Sequence, residues 1–203
     1  MKNKTMFWLA ASLAVASGFQ AGPPPQVPDG KIHFVNASFE GKPGESKIPP
    51  GWSATTPGST PDLMPGAWGL ACPAFDGQTC LGLVTREDGT REDLGQWLSE
   101  PLKGGTCYTF SMYLCHAERY VGYNMPARVR IWGGAARGQK TVLLNSSPLV
   151  DWADWREVKF QFAPPSDVRY ITFEAYFAPG AMFYYKGNVL IDNCSPIERC
   201  DRA

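Results

Sequence analysis

The chain has 203 residues, a formal net charge of zero, and a composition that is 44% hydrophobic and 19% charged. A chain this apolar is not intrinsically disordered, and one without excess positive charge is a poor candidate for binding nucleic acid. Its 21 glycines and 18 prolines favour many short strands over long helices. The length suits one domain with a substantial core.

The N-terminus has the pattern of a secretory signal. Lys2 and Lys4 precede an apolar run over 6–16. This run of about 11 residues is shorter than the roughly 20 that cross a bilayer, so we expect no membrane span. The pattern predicts three segments: a signal peptide at 1–21 with cleavage between 16 and 21, a Pro-rich linker at 22–30, and one domain at 31–200. We therefore expect a secreted, periplasmic or cell-surface protein.

Six cysteines follow the signal, and an even number in an oxidising compartment predicts disulfides. They are Cys72, Cys80, Cys107, Cys115, Cys194 and Cys200. Cys72 with Cys80, and Cys194 with Cys200, are plausible local pairs among the 15 connectivities that six cysteines allow. Cys107 and Cys115 lie too far apart on one predicted strand to pair with each other. The chain has only two histidines and no Cys-x-x-Cys pair, which disfavours a metal–thiolate site.

The domain is predicted to consist of strands. Three stretches of 12 or more residues lack both Gly and Pro, and each alternates apolar and polar residues with the period of two that is typical of strands. These stretches are 106–121, 149–163 and 166–178. Further strands are predicted at 33–39, 79–84, 93–99, 127–132, 141–145 and 188–194, with a hairpin turn over 133–138. The pattern predicts an all-β protein with two antiparallel sheets packed as a β-sandwich.

Several short motifs resemble those of jelly-roll carbohydrate-binding modules, which are galactose-binding-domain-like β-sandwiches. These motifs are N-A-S-F-E-G at 36–41, P-G-W at 50–52, L-G-Q-W-L at 94–98 and L-I-D-N-C-S at 190–195. The chain also resembles modules of exported bacterial envelope proteins. Since the motifs run from about Val35 to Ser195, the resemblance implies one jelly roll over nearly the whole domain.

The resemblance also implies a structural calcium ion. In the family, the Glu of the opening motif and the Asp of the closing strand commonly bind calcium, and the matching residues are Glu40 and Asp192. Calcium takes six to eight oxygen ligands, so backbone carbonyls or water would have to complete the site. The alternative is that both carboxylates only accept hydrogen bonds at strand ends.

In jelly-roll order, the strands at 93–99, 127–132, 141–145 and 170–177 share one sheet, and alternation decides which side chains face outward. The outward set is Trp97, Arg128, Arg130, Trp132, Tyr170, Thr172, Glu174 and Tyr176. Aromatic rings stack on the C–H faces of sugars, and charged planar groups bind sugar hydroxyls, so this face suits a glycan. The alternative is that loops 41–78 or 146–155 cover Trp97 and Trp132 and form a second small core.

The resulting hypothesis is an exported, non-catalytic carbohydrate-binding module. Trp97, Trp132, Tyr170 and Tyr176 would stack on sugars, while Arg130 and Glu174 would form hydrogen bonds. Arg128 is a further candidate ligand-binding residue on this face. The expected partner is a glycan or another component of the cell envelope. One alternative is an adhesion or protein-interaction module on the same fold with no sugar site. A glycoside hydrolase is disfavoured, because the sequence has no paired carboxylates at a recognisable spacing.

Overall fold

The computed structural model of the chain describes residues 30–200, so the predicted signal peptide and nearly all of the linker lie outside the described residues. The strands are β1 Asp62–Met64, β2 Cys80–Thr85, β3 Asp93–Leu102, β4 Tyr108–Cys115, β5 Met125–Pro126, β6 Arg128–Gly134, β7 Val142–Ser146, β8 Arg156–Phe162, β9 Val168–Tyr176, β10 Gly187–Asp192 and β11 Glu198–Arg199. A short 3₁₀ helix at Ala67–Gly69 follows β1, and residues 30–200 contain no α-helix. None of the described helices is long and apolar enough to span a membrane. The all-β prediction is confirmed.

Four strands form an antiparallel sheet in the order β3–β9–β6–β7. These are the four segments that were predicted to share a sheet. Residues 135–141, which overlap the predicted turn over 133–138, join β6 to β7. In this sheet Glu174 lies opposite Asp93 on one side and Arg130 on the other. Ile171 and Phe173 point into the core and are fully buried, so their neighbours along β9 lie on the outer face.

The remaining strands form a seven-stranded sheet along the path β1–β2–β10–β4–β11, with β8 paired to β4 and β5 paired to β10. Its longest pairing runs from Tyr108 opposite Phe162 to Leu114 opposite Arg156. The β5–β10 pair is parallel, and the other named pairs are antiparallel. The two sheets pack face to face as a β-sandwich, which confirms the predicted fold class.

Aromatic side chains join the two sheets across the core. Phe110 of the large sheet stacks on Phe173 of the small sheet, with ring centroids 6.2 Å apart. Trp52 contacts Phe173 at 5.5 Å and is 5% exposed. Burying rings of this size contributes strongly to the stability of the sandwich. Trp52 therefore packs in the core.

The predicted strand at 33–39 is wrong. The chain makes one isolated bridge just before this segment, from Ile32 to Ile197, and the segment then turns, with positive φ angles at Asn36 (54°) and Phe39 (52°). The amide of Asn36 donates to the carbonyl of Glu40 and accepts from the Glu40 N–H. An Asn side chain that satisfies its own neighbours in this way competes with strand pairing. The opening motif therefore builds a turn that directs Phe39 into the core.

The predicted local disulfides are also wrong. Cys107 is bonded to Cys200, which joins the start of β4 to the end of the described chain across a sequence separation of 93 residues. Cys194 is a free thiol buried in the main core, and Cys72 and Cys80 are free as well. The closing strand and β11 place Cys200 beside β4 rather than beside Cys194, a long-range contact that spacing alone does not reveal.

A smaller apolar cluster covers the other side of the seven-stranded sheet. Met64, Tyr120 and Leu190 are fully buried in it. Long loops contribute to this cluster, but it lies on the far side of the molecule and includes neither Trp97 nor Trp132, so it is not the second core of the alternative hypothesis.

Candidate functional site

The residues predicted to bind a ligand all lie on strands of the four-stranded sheet, but the structure divides them into three regions. The arginine end holds Arg128, Arg130 and Tyr176; the centre holds Trp132, Tyr170 and Glu174; the tryptophan end holds Trp97. The three regions differ in how far they are open to solvent.

The centre is built around two carboxylates that share one lysine. The Lys140 Nζ lies 2.6 Å from Asp93 Oδ2 and 2.8 Å from Glu174 Oε1. Glu174 also accepts hydrogen bonds from Trp132 Nε1 at 2.8 Å and Arg91 Nε at 3.4 Å. Asp93 and Glu174 are 0% and 3% exposed. These contacts occupy both carboxylates within the protein.

A loop over 53–60 seals the centre. Backbone N–H groups of Thr55 and Thr56 donate to Asp93, and both hydroxyls donate to it as well. Burial by itself would raise the pKa of Asp93, but hydrogen bonds from Lys140 and Thr56 outweigh it and lower this pKa below its ordinary value. The Asp93 carboxylate is therefore charged and structural.

Tyr170 lies flat against the sheet beneath this loop. A Cβ atom on Gly95 would lie 2.6 Å from the Tyr170 ring, so only glycine lets the ring cross β3 at this point. Tyr170 is 1% exposed. The expectation that Tyr170 and Glu174 face solvent is wrong, because loop 53–60, which has no repeating pattern in the sequence, folds over the middle of the sheet. Trp132 is partly buried there and holds Glu174.

The arginine end is open and surrounds one aromatic ring with guanidinium groups. The Cζ atoms of Arg130, Arg91 and Arg128 lie 3.1, 4.9 and 5.6 Å from the centroid of the Tyr176 ring. Such cation–π contacts orient the arginines. Tyr176 was predicted to stack on a sugar. In the structure its ring is in contact with the guanidinium groups of the arginines instead.

A pocket of about 230 Å³ opens beside these arginines. Its other wall is the loop between β9 and β10, in which Met182, Phe183 and Tyr184 are 88%, 80% and 60% exposed. Tyr184 is anchored by contact with Phe177, at 5.0 Å between ring centroids. No acidic side chain lines the pocket. The arginine end thus combines cationic donors with exposed rings.

The tryptophan end is a separate, shallower feature. Trp97 is 52% exposed and packs edge-on against Tyr170, with 5.3 Å between centroids. A groove of about 270 Å³ runs beside it, lined by Leu98, Ser99, Pro101 and Arg169. Its single exposed ring offers one stacking surface.

The two residues predicted to bind calcium hold a loop. Asp192 accepts hydrogen bonds from the backbone N–H groups of Phe75, Asp76 and Asn193, and Glu40 Oε1 accepts from those of Gln78 and Thr79. Burial raises the pKa of Asp192 to about 6, against the lowering effect of these hydrogen bonds. Residues 30–200 contain no group of three His, Cys, Asp or Glu side chains arranged to hold a metal ion.

This arrangement does not fit calcium, because N–H donors rather than oxygens face the two carboxylates. Calcium binding at Glu40 and Asp192 stays an untested prediction. In the described structure both side chains are hydrogen-bond acceptors, as the alternative hypothesis held, with Asp192 at the end of β10 and Glu40 in the loop that follows the turn at 36–39.

A second polar cavity, of about 130 Å³, lies across the molecule and contains Asp62, Glu92 and Arg86. Asp62 accepts hydrogen bonds from Ser46 N, Trp68 Nε1 and the Tyr120 hydroxyl. Glu92 accepts from Val84 N, Thr60 and Arg86. Burial raises the pKa of Glu92 to about 7 in spite of the Arg86 charge. Both acids are satisfied internally, which is typical of a structural network.

Sequence reasoning missed Lys140 and the aromatic loop. Lys140 follows the β6–β7 hairpin turn, where a lysine is ordinarily solvated. Phe183 and Tyr184 follow Pro179–Gly180, and apolar residues within a turn are the one signal that pointed to them.

The similarity of the chain to known proteins lies in its fold. No protein-family model matches it, and no curated protein matches it. Among solved structures, the CBM22-1 xylan-binding domain of Paenibacillus barcinonensis Xyn10C superimposes with a TM-score of 0.53 at 17% identity, covering 86% of this chain and 97% of that one. The tandem CBM22-1–CBM22-2 structure from Xyn10C gives the same TM-score and identity, with 86% of this chain and 47% of that one covered.

The K3 cleaved adhesin domain of Lys-gingipain from Porphyromonas gingivalis w83 matches with a TM-score of 0.51 at 13% identity, covering 83% of this chain and 98% of that one. At these identities the similarity establishes the fold alone. The chain has the jelly-roll β-sandwich fold found in carbohydrate-binding modules and adhesin domains.

Proposed function

We propose that the chain is a non-catalytic carbohydrate-binding module whose glycan site is the arginine end of the four-stranded sheet. The observation that carries the proposal is the open pocket in which Arg128 and Arg130 face a loop with exposed Phe183 and Tyr184. Contact between a large apolar side chain and water is unfavourable, and a ligand that covers the side chain removes this cost. A sugar ring covers it with C–H groups and offers hydroxyls to the arginines.

This proposal moves the stacking surface from the sheet to a loop. Tyr170 is buried and the Tyr176 ring is occupied by Arg130, so Phe183 and Tyr184 take over the stacking. Arg130 keeps the hydrogen-bonding role that the sequence analysis assigned to it, and Arg128, a predicted ligand-binding residue, shares that role. Trp97 lies outside the pocket and serves as a comparison for the experiment.

The absence of catalysis is part of the proposal. Asp93 and Glu174 are close enough to share Lys140, but both are buried, and Lys140 and other donors of the protein occupy their oxygens. A glycosidase needs one carboxyl that can donate a proton to its substrate, and both must reach the cleft. The binding-module fold of the neighbours is consistent with this.

We place the protein outside the cytoplasm. The Cys107–Cys200 disulfide is of a kind that persists in oxidising compartments, and the signal pattern at 1–21 agrees with export. The expected ligands are therefore glycans of a cell surface or of the extracellular matrix.

A glycan array probed with the purified chain tests the proposal. We expect binding to at least one glycan class, lost in Phe183→Ala and retained in Trp97→Ala. Both substitutions remove an exposed ring, so comparing them shows which end of the sheet binds the glycan. The reverse result, with loss in Trp97→Ala alone, overturns the placement of the site, and an array without any bound glycan overturns the function.

A second candidate function is protein adhesion on the same fold. It is favoured by the run of three consecutive exposed apolar residues, Met182, Phe183 and Tyr184, since such patches also mark protein interfaces. An empty glycan array together with saturable, Phe183-dependent binding to envelope proteins supports this candidate in place of the first.

A further inference from the structure

Arg128 and Arg130 differ from the neighbouring arginines in having no acidic partner. Arg86 pairs with Glu92, and Arg91 pairs with Glu174. Within residues 30–200, Arg128 and Arg130 form no ion pair, and the Nε of each is buried without a hydrogen-bond partner. A buried N–H group without an acceptor costs about 1–3 kcal/mol, and more when it is charged. Both side chains are therefore incompletely satisfied in the free protein.

The charge of the two arginines is not offset nearby. Burial lowers the pKa of Arg128 below its ordinary value, and the charge of Arg130 lowers it further. Glu174, on the adjacent strand, is already engaged by Lys140, Arg91 and Trp132. With no acidic residue in its lining, the pocket has an unbalanced positive potential that attracts an anion.

The shape of the pocket restricts what that anion can be. Two planar guanidinium groups bind carboxylate or sulfate oxygens through paired N–H donors. Phe183 stands at the mouth of the pocket and is 80% exposed, which favours a ligand with an apolar face next to its charged group. A volume of about 230 Å³ suits one sugar residue with its substituent rather than a long stretch of chain.

We propose that the glycan bound at the arginine end is acidic, with a carboxylate or sulfate group of one sugar residue held by Arg128 and Arg130. The proposal rests on the sugar-binding function above and adds the charge of the ligand. The sugar ring packs on Phe183 while its anionic group pairs with the guanidinium groups of Arg128 and Arg130, which form no ion pair within residues 30–200. Tyr176 holds the guanidinium groups in place through its ring.

Calorimetric titration with trigalacturonate and with its fully methyl-esterified form tests the charge directly. The two probes share rings and linkages and differ in charge. We expect the acid to bind at least about tenfold more tightly, since hydrogen bonds to charged groups contribute about 1.5–3 kcal/mol. A sulfated galactan oligosaccharide and its desulfated form make a second pair, which distinguishes a sulfate ligand from a carboxylate ligand.

Substitutions locate the effect. Arg128→Ala and Arg130→Ala should each weaken binding of the acidic probe at least about tenfold. Arg169→Ala removes the same charge from the exposed tryptophan end of β9 and should leave binding unchanged. Thermal melts of each variant confirm that it is folded, and two separate arginine variants keep the test decisive if one of them unfolds.

The outcomes separate this inference from the proposed function. Equal binding of charged and uncharged probes at a Phe183-dependent site overturns the acidic ligand and leaves the sugar site standing. Acid binding that survives both arginine substitutions also overturns it. If the array yields only neutral ligands, the inference alone fails; if the probes and the array all give no binding, the proposed function fails with it.

Discussion

Glu92 should make the fold less stable as the pH rises through neutrality. The residue is 1% exposed, and burial raises its pKa from 4.5 to about 7. Between these values the folded protein binds a proton that the unfolded chain has released, so the free energy of unfolding falls with rising pH. The difference of about 2.5 pKa units corresponds to about 3 kcal/mol, lost between about pH 4.5 and pH 8.

Glu92→Gln isolates this effect, because glutamine keeps the shape and the acceptor oxygen of the side chain but does not ionise. Urea melts followed by tryptophan fluorescence at pH 5, 6, 7 and 8 give the free energy of unfolding for each protein. Most of the decrease between pH 6 and pH 8 should disappear in the variant. Asp192, whose pKa is about 6, contributes a smaller decrease at the acidic end of this range in both proteins.

Glu100→Gln is the matched control, since Glu100 is an exposed glutamate on β3, the strand that begins directly after Glu92. It should reproduce the pH profile of the unmodified chain. Parallel profiles for the unmodified chain and Glu92→Gln from pH 5 to pH 8 would show that Glu92 is already ionised in the folded state. The reasoning from burial would then be refuted.

Three further predictions concern stability. Lys140→Met leaves Asp93 and Glu174 buried without their shared cation. We expect the free energy of unfolding to fall by about 3–5 kcal/mol and the Tm in thermal melts to fall by about 10 °C. A decrease below about 1 kcal/mol contradicts the structural role of the centre. Cys107→Ser removes the covalent link to Cys200 and should cost about 2–4 kcal/mol relative to the oxidised chain, with no further loss on adding reductant; an unchanged Tm contradicts the disulfide. Addition of EDTA should leave the Tm unchanged, because N–H donors occupy the predicted calcium ligands, and a Tm that rises with added calcium contradicts that conclusion.

The sheet that carries the candidate site could be predicted from the sequence because apolar and polar residues alternate along its long strand β9. In β9 the fully buried Ile171 and Phe173 alternate with Thr172 and Glu174, and a period of two assigns each side chain to a face. The same rule failed at 33–39, where alternation was present but the Asn36 side chain built a turn. Local hydrogen bonding by one residue overrode the pattern.

Exposure on the outer face could not be predicted, because it depends on loops. Alternation assigns Tyr170 to the outer face correctly, but the loop over 53–60 that buries it comes from a distant part of the sequence. Gly95 is the one local sign of this cover, since a glycine within a strand marks a close approach of another group. The exposed aromatic loop at Phe183 was not predicted either. Alternation applies to strands, and an irregular segment has no period from which exposure can be inferred.

Chemical-shift mapping on the ¹⁵N-labelled chain, titrated with the tightest-binding oligosaccharide from the array, tests the placement of the glycan site most directly. We predict that the shifted backbone amides cluster at 128–130 and 176–185, and that the side-chain Nε–Hε signals of Arg128 and Arg130 move with them at the same apparent Kd. Shifts centred on Trp97 and Arg169, or on the seven-stranded sheet, would contradict a glycan site at the arginine end.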